Sequence, residues 1–197
     1  MRVIAGIAKG RKLQAPPGIK TRPITDMIKE ALFNILQPRI LNSSFLDLYA
    51  GSGSVGIEAL SRGAANAVFV DNDAQAVKII RQNLDHCKLQ GEVYHSDIFD
   101  FLRRMVRQKR SFDIIFADPP FTQENLFKKT INALDSAELI SPQGVVIIRV
   151  PRNTELSSQL NQIEMVRKNL YGESALYFYH RSVKEGGSMN GNFSNPG

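Results

Sequence analysis

Residues 45–56 read Phe45-Leu46-Asp47-Leu48-Tyr49-Ala50-Gly51-Ser52-Gly53-Ser54-Val55-Gly56. An apolar strand ends, a glycine-rich turn follows, and residues 55–62 open a helix. Gly51, Gly53 and Gly56 carry the G-x-G-x-x-G spacing, in which glycines permit a tight turn and close approach of a ligand to the backbone. Asp71 follows Gly51 by twenty residues, at the end of the next strand, where a carboxylate accepts hydrogen bonds from ribose hydroxyls. Two ligand classes fit, NAD(P) and S-adenosylmethionine.

Three features favour S-adenosylmethionine. Asp47 stands at the carboxyl end of its strand, where its charge suits an ammonium and a sulfonium better than a pyrophosphate. Asp97, in Ser96-Asp97, follows the third strand and reaches toward an adenine amino group from the crevice where open α/β sheets bind ligands. The glycine loop also comes after a 43-residue basic extension, whereas a dinucleotide domain often begins with its fingerprint strand. The cofactor set read from this stretch is Asp47, Tyr49, Ala50, Gly51, Ser52, Gly53, Gly56, Asp71 and Asp97.

Outward from the loop, short apolar runs at 45–48, 67–70, 92–95, 112–117 and 145–150 alternate with helical stretches near 55–62, 74–88, 98–108 and 123–137. This rhythm predicts right-handed crossovers and a mostly parallel sheet, Rossmann-like, covered on both faces. Residues 163–170 and 174–181 read as a C-terminal antiparallel hairpin turning at Tyr171-Gly172-Glu173. Upstream, residues 2–6 and 11–15 pair as a small N-terminal β-hairpin around Gly6 and Gly10. Thr25 caps a helix that ends near Pro38. The expected division is a basic hairpin extension at 1–24, a catalytic domain at 25–182 and a frayed tail at 183–197.

The 197 residues carry a formal net charge of +6. Residues 1–29 hold seven Lys or Arg and one acid, and the rest of the chain is balanced, so the whole excess sits on the extension. An acidic partner such as nucleic acid follows as an expectation. A hydrophobic content of 43% excludes a largely disordered chain. No apolar run approaches the ~20 residues of a membrane helix. Cys87 is the single cysteine, so no internal disulfide forms, and no Cys/His spacing suggests a metal site. No secretory signal is visible, which makes a cytoplasmic protein, plainly a monomer, the expectation.

Asp118-Pro119-Pro120-Phe121 follows the most continuous apolar strand. The exocyclic amine of a nucleobase is a poor nucleophile because its lone pair is delocalised into the ring. The Asp118 carboxylate accepts one amine hydrogen and the Pro119 carbonyl the other, which orients the lone pair and stabilises positive charge developing on nitrogen. The two prolines fix φ and hold the acceptors rigidly. Phe121 offers a ring for the base to stack on. Carbon-5 methylation of a pyrimidine needs a cysteine nucleophile; Cys87 lies in the helix after Asp71 and reads as packing.

These residues resemble the bacterial 16S ribosomal RNA guanine-N2 methyltransferases, members of the class I S-adenosylmethionine-dependent fold. The resemblance runs from Met1 to about Ser182. It is carried by Arg2-Val3-Ile4-Ala5-Gly6, Lys9-Gly10-Arg11-Lys12-Leu13, Thr21-Arg22-Pro23, Glu30-Ala31-Leu32-Phe33-Asn34, the glycine loop, Glu58-Ala59-Leu60-Ser61-Arg62-Gly63 and Asp118-Pro119-Pro120-Phe121. The glycine loop and the Asp-Pro-Pro-Phe motif are shared with amino-group methyltransferases of DNA, so the N-terminal block points to the ribosomal subfamily. The resemblance implies methylation of one guanine in 16S rRNA on an assembling small subunit. It also implies that Thr21 and Arg22 lie over the cofactor. Lys29 stands where the family usually has Arg, Ile24 where it has Thr, and Asp71 where it often has Glu.

On an RNA substrate, Arg2, Lys9, Arg11 and Lys12 are the phosphate contacts, which position without specifying sequence. A second cluster at Arg103, Arg104, Arg107, Lys109 and Arg110 also reads as a plain helix-dipole complement. The alternatives are an adenine-N6 or cytosine-N4 DNA methyltransferase, a non-catalytic RNA-binding assembly factor and a nicotinamide dehydrogenase. Placed on a separate extension, the N-terminal charge leads to the expectation that removing residues 1–18 weakens RNA binding far more than cofactor binding.

Overall fold

Apolar strands alternating with amphipathic helices build one sheet with helices on both faces. The computed structural model describes residues 1–16 and 24–182. The expectations for Thr21, Arg22 and the 183–197 tail lie outside the described residues. In chain order the elements are α1 (Asp26–Ile40), β1 (Ser44–Leu48), α2 (Ser54–Ser61), β2 (Asn66–Asp71), α3 (Ala74–Cys87), β3 (Glu92–His95), α4 (Ile98–Arg107), β4 (Phe112–Ala117), α5 (Glu124–Ser136), β5 (Ile140–Pro151), β6 (Ile163–Tyr171) and β7 (Ser174–Arg181).

The seven strands lie in the order β3-β2-β1-β4-β5-β7-β6. β1 to β5 are parallel, and β7 runs antiparallel between β5 and β6. The chain winds outward from β1 to β3, then returns to the other side for β4 and β5. This reversal opens a crevice at the carboxyl ends of β1 and β4, the usual ligand position in such sheets. Alternate strand residues face opposite ways. Phe45, Phe69, Ile114 and Ile147 pack with α1, α2 and α3, whereas Leu46, Val70, Ile115 and Ile148 pack with α4 and α5.

Three elements depart from the pattern read in the sequence. α1, capped by the Thr25 side chain on Ile28 N, runs past Pro38 to Ile40. A proline in the last turn removes a single intrahelical bond, and burial of Ile40 offsets it. β5 starts at Ile140, because Phe112 pairs with Ile140 before a register shift.

The third is the N-terminal ribbon. It is the short antiparallel hairpin expected, bridged at Arg2 and Lys12 with Val3 N on Arg11 O at 2.9 Å and Leu13 N on Met1 O at 3.1 Å, but it does not stand apart from the domain. Its turn is held by α2: Ile4 N and Ala5 N donate to the Glu58 carboxylate at 2.8 and 3.0 Å, and Ala8 N to Ser61 Oγ at 3.0 Å. Val3, Ala8 and Leu13 are buried in the same core cluster as α1, α2 and the sheet. The ribbon and the sheet therefore share a core.

Candidate active site

The crevice is built first by the turn between β1 and α2. Gly51 and Gly53 adopt left-handed backbone, φ 57° and 73°, a region that side chains disfavour. Gly53 N closes the turn on Ala50 O at 2.7 Å. Gly56 serves packing, since a Cβ there would lie 2.3 Å from Phe69 Cε1. Asp47, buried at the end of β1, accepts from Gly56 N at 2.9 Å through Oδ2. Asp71 braces the turn from β2, accepting from Gly51 N at 2.8 Å and Asp73 N at 2.9 Å.

Burial pushes the Asp47 carboxyl well above the ordinary carboxylate range; the Gly56 amide opposes this, and Asp118 and Asp71 add to it. Asp71 is raised for the same first reason, with the Asp73 and Gly51 amides opposing. It is the two carboxyls lining this turn, and not the N-terminus of α2, whose dipole favours anions, that suit a ligand bearing positive charge.

Asp118 sits beside this turn because β4 is in register with β1, Leu48 opposite Ala117, and Asp118 N donates to Leu48 O at 3.3 Å. One cavity joins both segments. Asp47, Tyr49, Ala50, Gly51, Ser52, Ser54 and Val55 line one side, and Asp118, Pro119, Pro120, Phe121 and Arg149 the other. Met1, Ala15, Pro16 and Ile24 complete the wall. Gly53, Gly56, Asp71 and Asp97 do not line it. Asp97 is exposed and caps α4, accepting from Phe99 N and Asp100 N. Tyr49 is tied away by its hydroxyl, 2.8 Å from Thr130 Oγ1, and burial raises its phenol to about 12.

Residues 1–180 match the family described as Conserved hypothetical protein 95. The chain is 37% identical over 183 residues to "Putative rRNA methyltransferase YlbH" of Bacillus subtilis, covering 92% of this chain and 99% of that protein. It is 32% identical over 185 residues to ribosomal RNA small subunit methyltransferase D of Escherichia coli K12, covering 93% and 91%. The chain belongs to the small subunit methyltransferase D family. Among solved structures, hypothetical protein TTHA0928 of Thermus thermophilus superposes with a TM-score of 0.81 at 29% identity, covering 91% of this chain and 99% of that one. The fold is that of class I methyltransferases.

In this member of the methyltransferase D family, the basic residues read from the sequence fall in different places. Arg2, Lys9 and Lys12 are exposed, while Arg11 is half-buried with its guanidinium on the His86 carbonyl. Lys9 lies at the ribbon turn that Ser61 holds, at the far end of α2 from the cavity. Lys29 is fully buried: Nζ meets Glu58 Oε2 at 3.5 Å and donates to the Arg2 carbonyl at 2.5 Å. Burial lowers its pKa, and Glu58 opposes that shift. The α4 cluster sits at the opposite edge of the sheet from the crevice, because a crossover helix runs antiparallel to its strands. There Arg110 grips Glu92 twice at 2.9 Å, Arg103 pairs with Asp100, and Arg104 lies 5.3 Å from the Tyr94 ring centre.

Two site residues of this family member are not evident from the sequence. Arg149 on β5 hides in the apolar run 145–150, though it is the lone charge there. Asn83 on α3 sits on the apolar face of that helix. Its amide oxygen accepts from Gln14 N at 2.9 Å, and its amide nitrogen donates to Gln14 O and Ser52 O at 3.0 and 2.9 Å. It thereby clamps the ribbon to the glycine loop. A polar residue at a helix position otherwise reserved for the core is the available signal.

Proposed function

We propose that the protein methylates the exocyclic N2 amine of a guanine in 16S rRNA, using S-adenosylmethionine, on the small ribosomal subunit in the cytoplasm. The observation that carries this reading is one cavity holding both Asp47 with the glycine turn and Asp118 with the Pro-Pro-Phe loop. The names of its relatives support methyl transfer to ribosomal RNA, and the guanine amine rests on the Asp118 loop together with the family resemblance.

The donor set fits the cofactor. Asp47 offers a carboxylate to an ammonium group, and the turn residues Ala50, Gly51 and Ser52 offer close backbone approach. Asp71 and Asp97 belong to this reading at the ribose and adenine ends; Asp71 would act from behind the turn it braces. Bound there, S-adenosylmethionine supplies a methyl carbon on a positively charged sulfur, a leaving group that needs no acid. The chain's own work is on the acceptor. Asp118 takes one amine hydrogen and the Pro119 carbonyl the other, the base stacks on Phe121, and the surplus proton passes to Asp118 or water. Arg2, Lys9 and Lys12 engage phosphates outside the cavity, with Arg11 already committed in part to His86.

The test uses small subunits from a strain lacking the gene, incubated with protein and methyl-labelled S-adenosylmethionine. Label enters 16S rRNA on this reading. Label on duplex DNA and none on subunits would establish the DNA amine methyltransferase instead.

A further inference from the structure

Arg149 is a guanidinium buried in the middle of the sheet, its side chain 3% exposed. It touches two members of the loop after β4. Its Nη1 donates to Asp118 Oδ2 at 2.8 Å, and its Cζ lies 4.9 Å from the centre of the Phe121 ring. On another side, Nε donates to Ser174 Oγ at 3.2 Å, at the start of β7. Phe121 in turn meets Phe127 of α5 edge-on, centroids 5.9 Å apart and planes at 78°.

We propose that Arg149 is the positioning residue of the transfer, holding the amine-accepting carboxylate and the stacking ring as one rigid unit. This rests on the amine-methylation reading above.

A planar, delocalised cation can donate to a carboxylate in its plane and stack on a ring through its face; an ammonium cannot do both. With Oδ2 engaged, Oδ1 is the atom Asp118 presents to the amine. With one face of Phe121 covered, the base stacks on the other. Ser174 anchors the guanidinium from β7, so the unit is tied to the sheet rather than to the loop alone. The charge also matters. Asp118 stands in a desolvated crevice, and burial pushes its carboxyl up while Arg149 pulls it back. Among the described residues, the charged groups of this crevice are Arg149 from β5, which opposes the rise at Asp118, and Asp47 from β1, whose own carboxyl Asp118 and Asp71 push up. Among the described residues, Arg149 is the cation that opposes protonation of Asp118.

Arg149→Met and Arg149→Lys test this with three readouts: carbon-13 titration of the Asp118 carboxyl in the ligand-free protein, the pH profile of methyl transfer, and calorimetry with S-adenosylhomocysteine. In Arg149→Met the Asp118 midpoint rises by about 1–3 units, and the acid limb of the rate profile rises with it. Its kcat falls about 100-fold, as expected when reacting groups lose their alignment, while cofactor affinity and KM for S-adenosylmethionine stay near wild type. In Arg149→Lys the charge remains, so the midpoint stays near that of wild type, but kcat stays reduced because the ring is no longer held. An unmoved Asp118 midpoint in Arg149→Met, or full kcat in Arg149→Lys, overturns the proposal. If the Met variant does not fold, the Lys variant decides alone on kcat against KM. The carboxyl titration needs no substrate. A wild-type protein that leaves small-subunit RNA unlabelled would overturn the functional reading, while the titration would still judge the pairing.

Discussion

Asp118 accepts an amine hydrogen most strongly, and can take up its proton, only when ionised, yet it stands where water is scarce. Burial raises its pKa and Arg149 opposes the shift, with a net rise. The sign follows directly: activity is full above the raised pKa and is lost as pH falls through it. The acid limb of the rate profile therefore lies above the ordinary aspartate range, which single-turnover rates against pH would measure. Asp118→Ala, which removes the acceptor that an Asn oxygen would keep, is predicted to lower kcat by about 100- to 1,000-fold, the usual loss when one preorganised partner of the developing charge is removed. Affinity for S-adenosylhomocysteine should persist in calorimetry. Asp118 was legible because a proline pair after an apolar strand is a strong local signal. Arg149 was not, since its meaning comes from Asp118, 31 residues earlier, and from Phe121, both brought to it by the pairing of β4 with β5.

At the scale of elements, α2 organises both the cavity and the ribbon. Its first turn lines the cavity, and its Glu58 collects Ile4 N, Ala5 N, Arg62 and Lys29. Lys29→Met leaves Glu58 with Arg62 and both amides but takes the donor from the Arg2 carbonyl, so it should destabilise the fold by about 1–3 kcal/mol in denaturant unfolding. The Ile4 and Ala5 amides should also lose protection in hydrogen exchange. Asn83→Ala, which releases Ser52 and Gln14 and leaves buried polar groups unpaired, should weaken cofactor binding and cost about 1–3 kcal/mol in unfolding. Gly56→Ala drives a methyl group into Phe69 and should cost about 1–3 kcal/mol. The strands and helices themselves were legible, because period-2 and period-3.6 patterns are written in neighbouring residues. The ribbon's docking was not, because the amides of its turn bond to side chains more than fifty residues away.

For the whole molecule, alternation implies a parallel sheet, but the strand order and the crevice between β1 and β4 depend on where crossovers land. The N-terminal charge changes meaning once the ribbon is seen packed. The sequence expects loss of residues 1–18 to spare the cofactor site. The packing predicts otherwise, since Met1, Ala15 and Pro16 line the cavity and Val3 and Leu13 are core. Deletion should therefore weaken cofactor and RNA binding together. Charge alone is better removed by Arg2→Gln, Lys9→Gln and Lys12→Gln in combination. That variant should bind cofactor normally, bind RNA more weakly, and lower the salt slope by about 0.7 for each phosphate no longer neutralised.

The central claim is that this crevice methylates a guanine amine through the Asp118 loop. Its most direct measurement is nucleoside analysis of 16S rRNA from deficient small subunits after reaction with labelled S-adenosylmethionine, using wild-type protein and Asp118→Ala. The account predicts label on the N2 amine of one guanine with wild type and its near-complete loss with the variant. Label on another base or on a ring carbon, or equal label from both proteins, would contradict it.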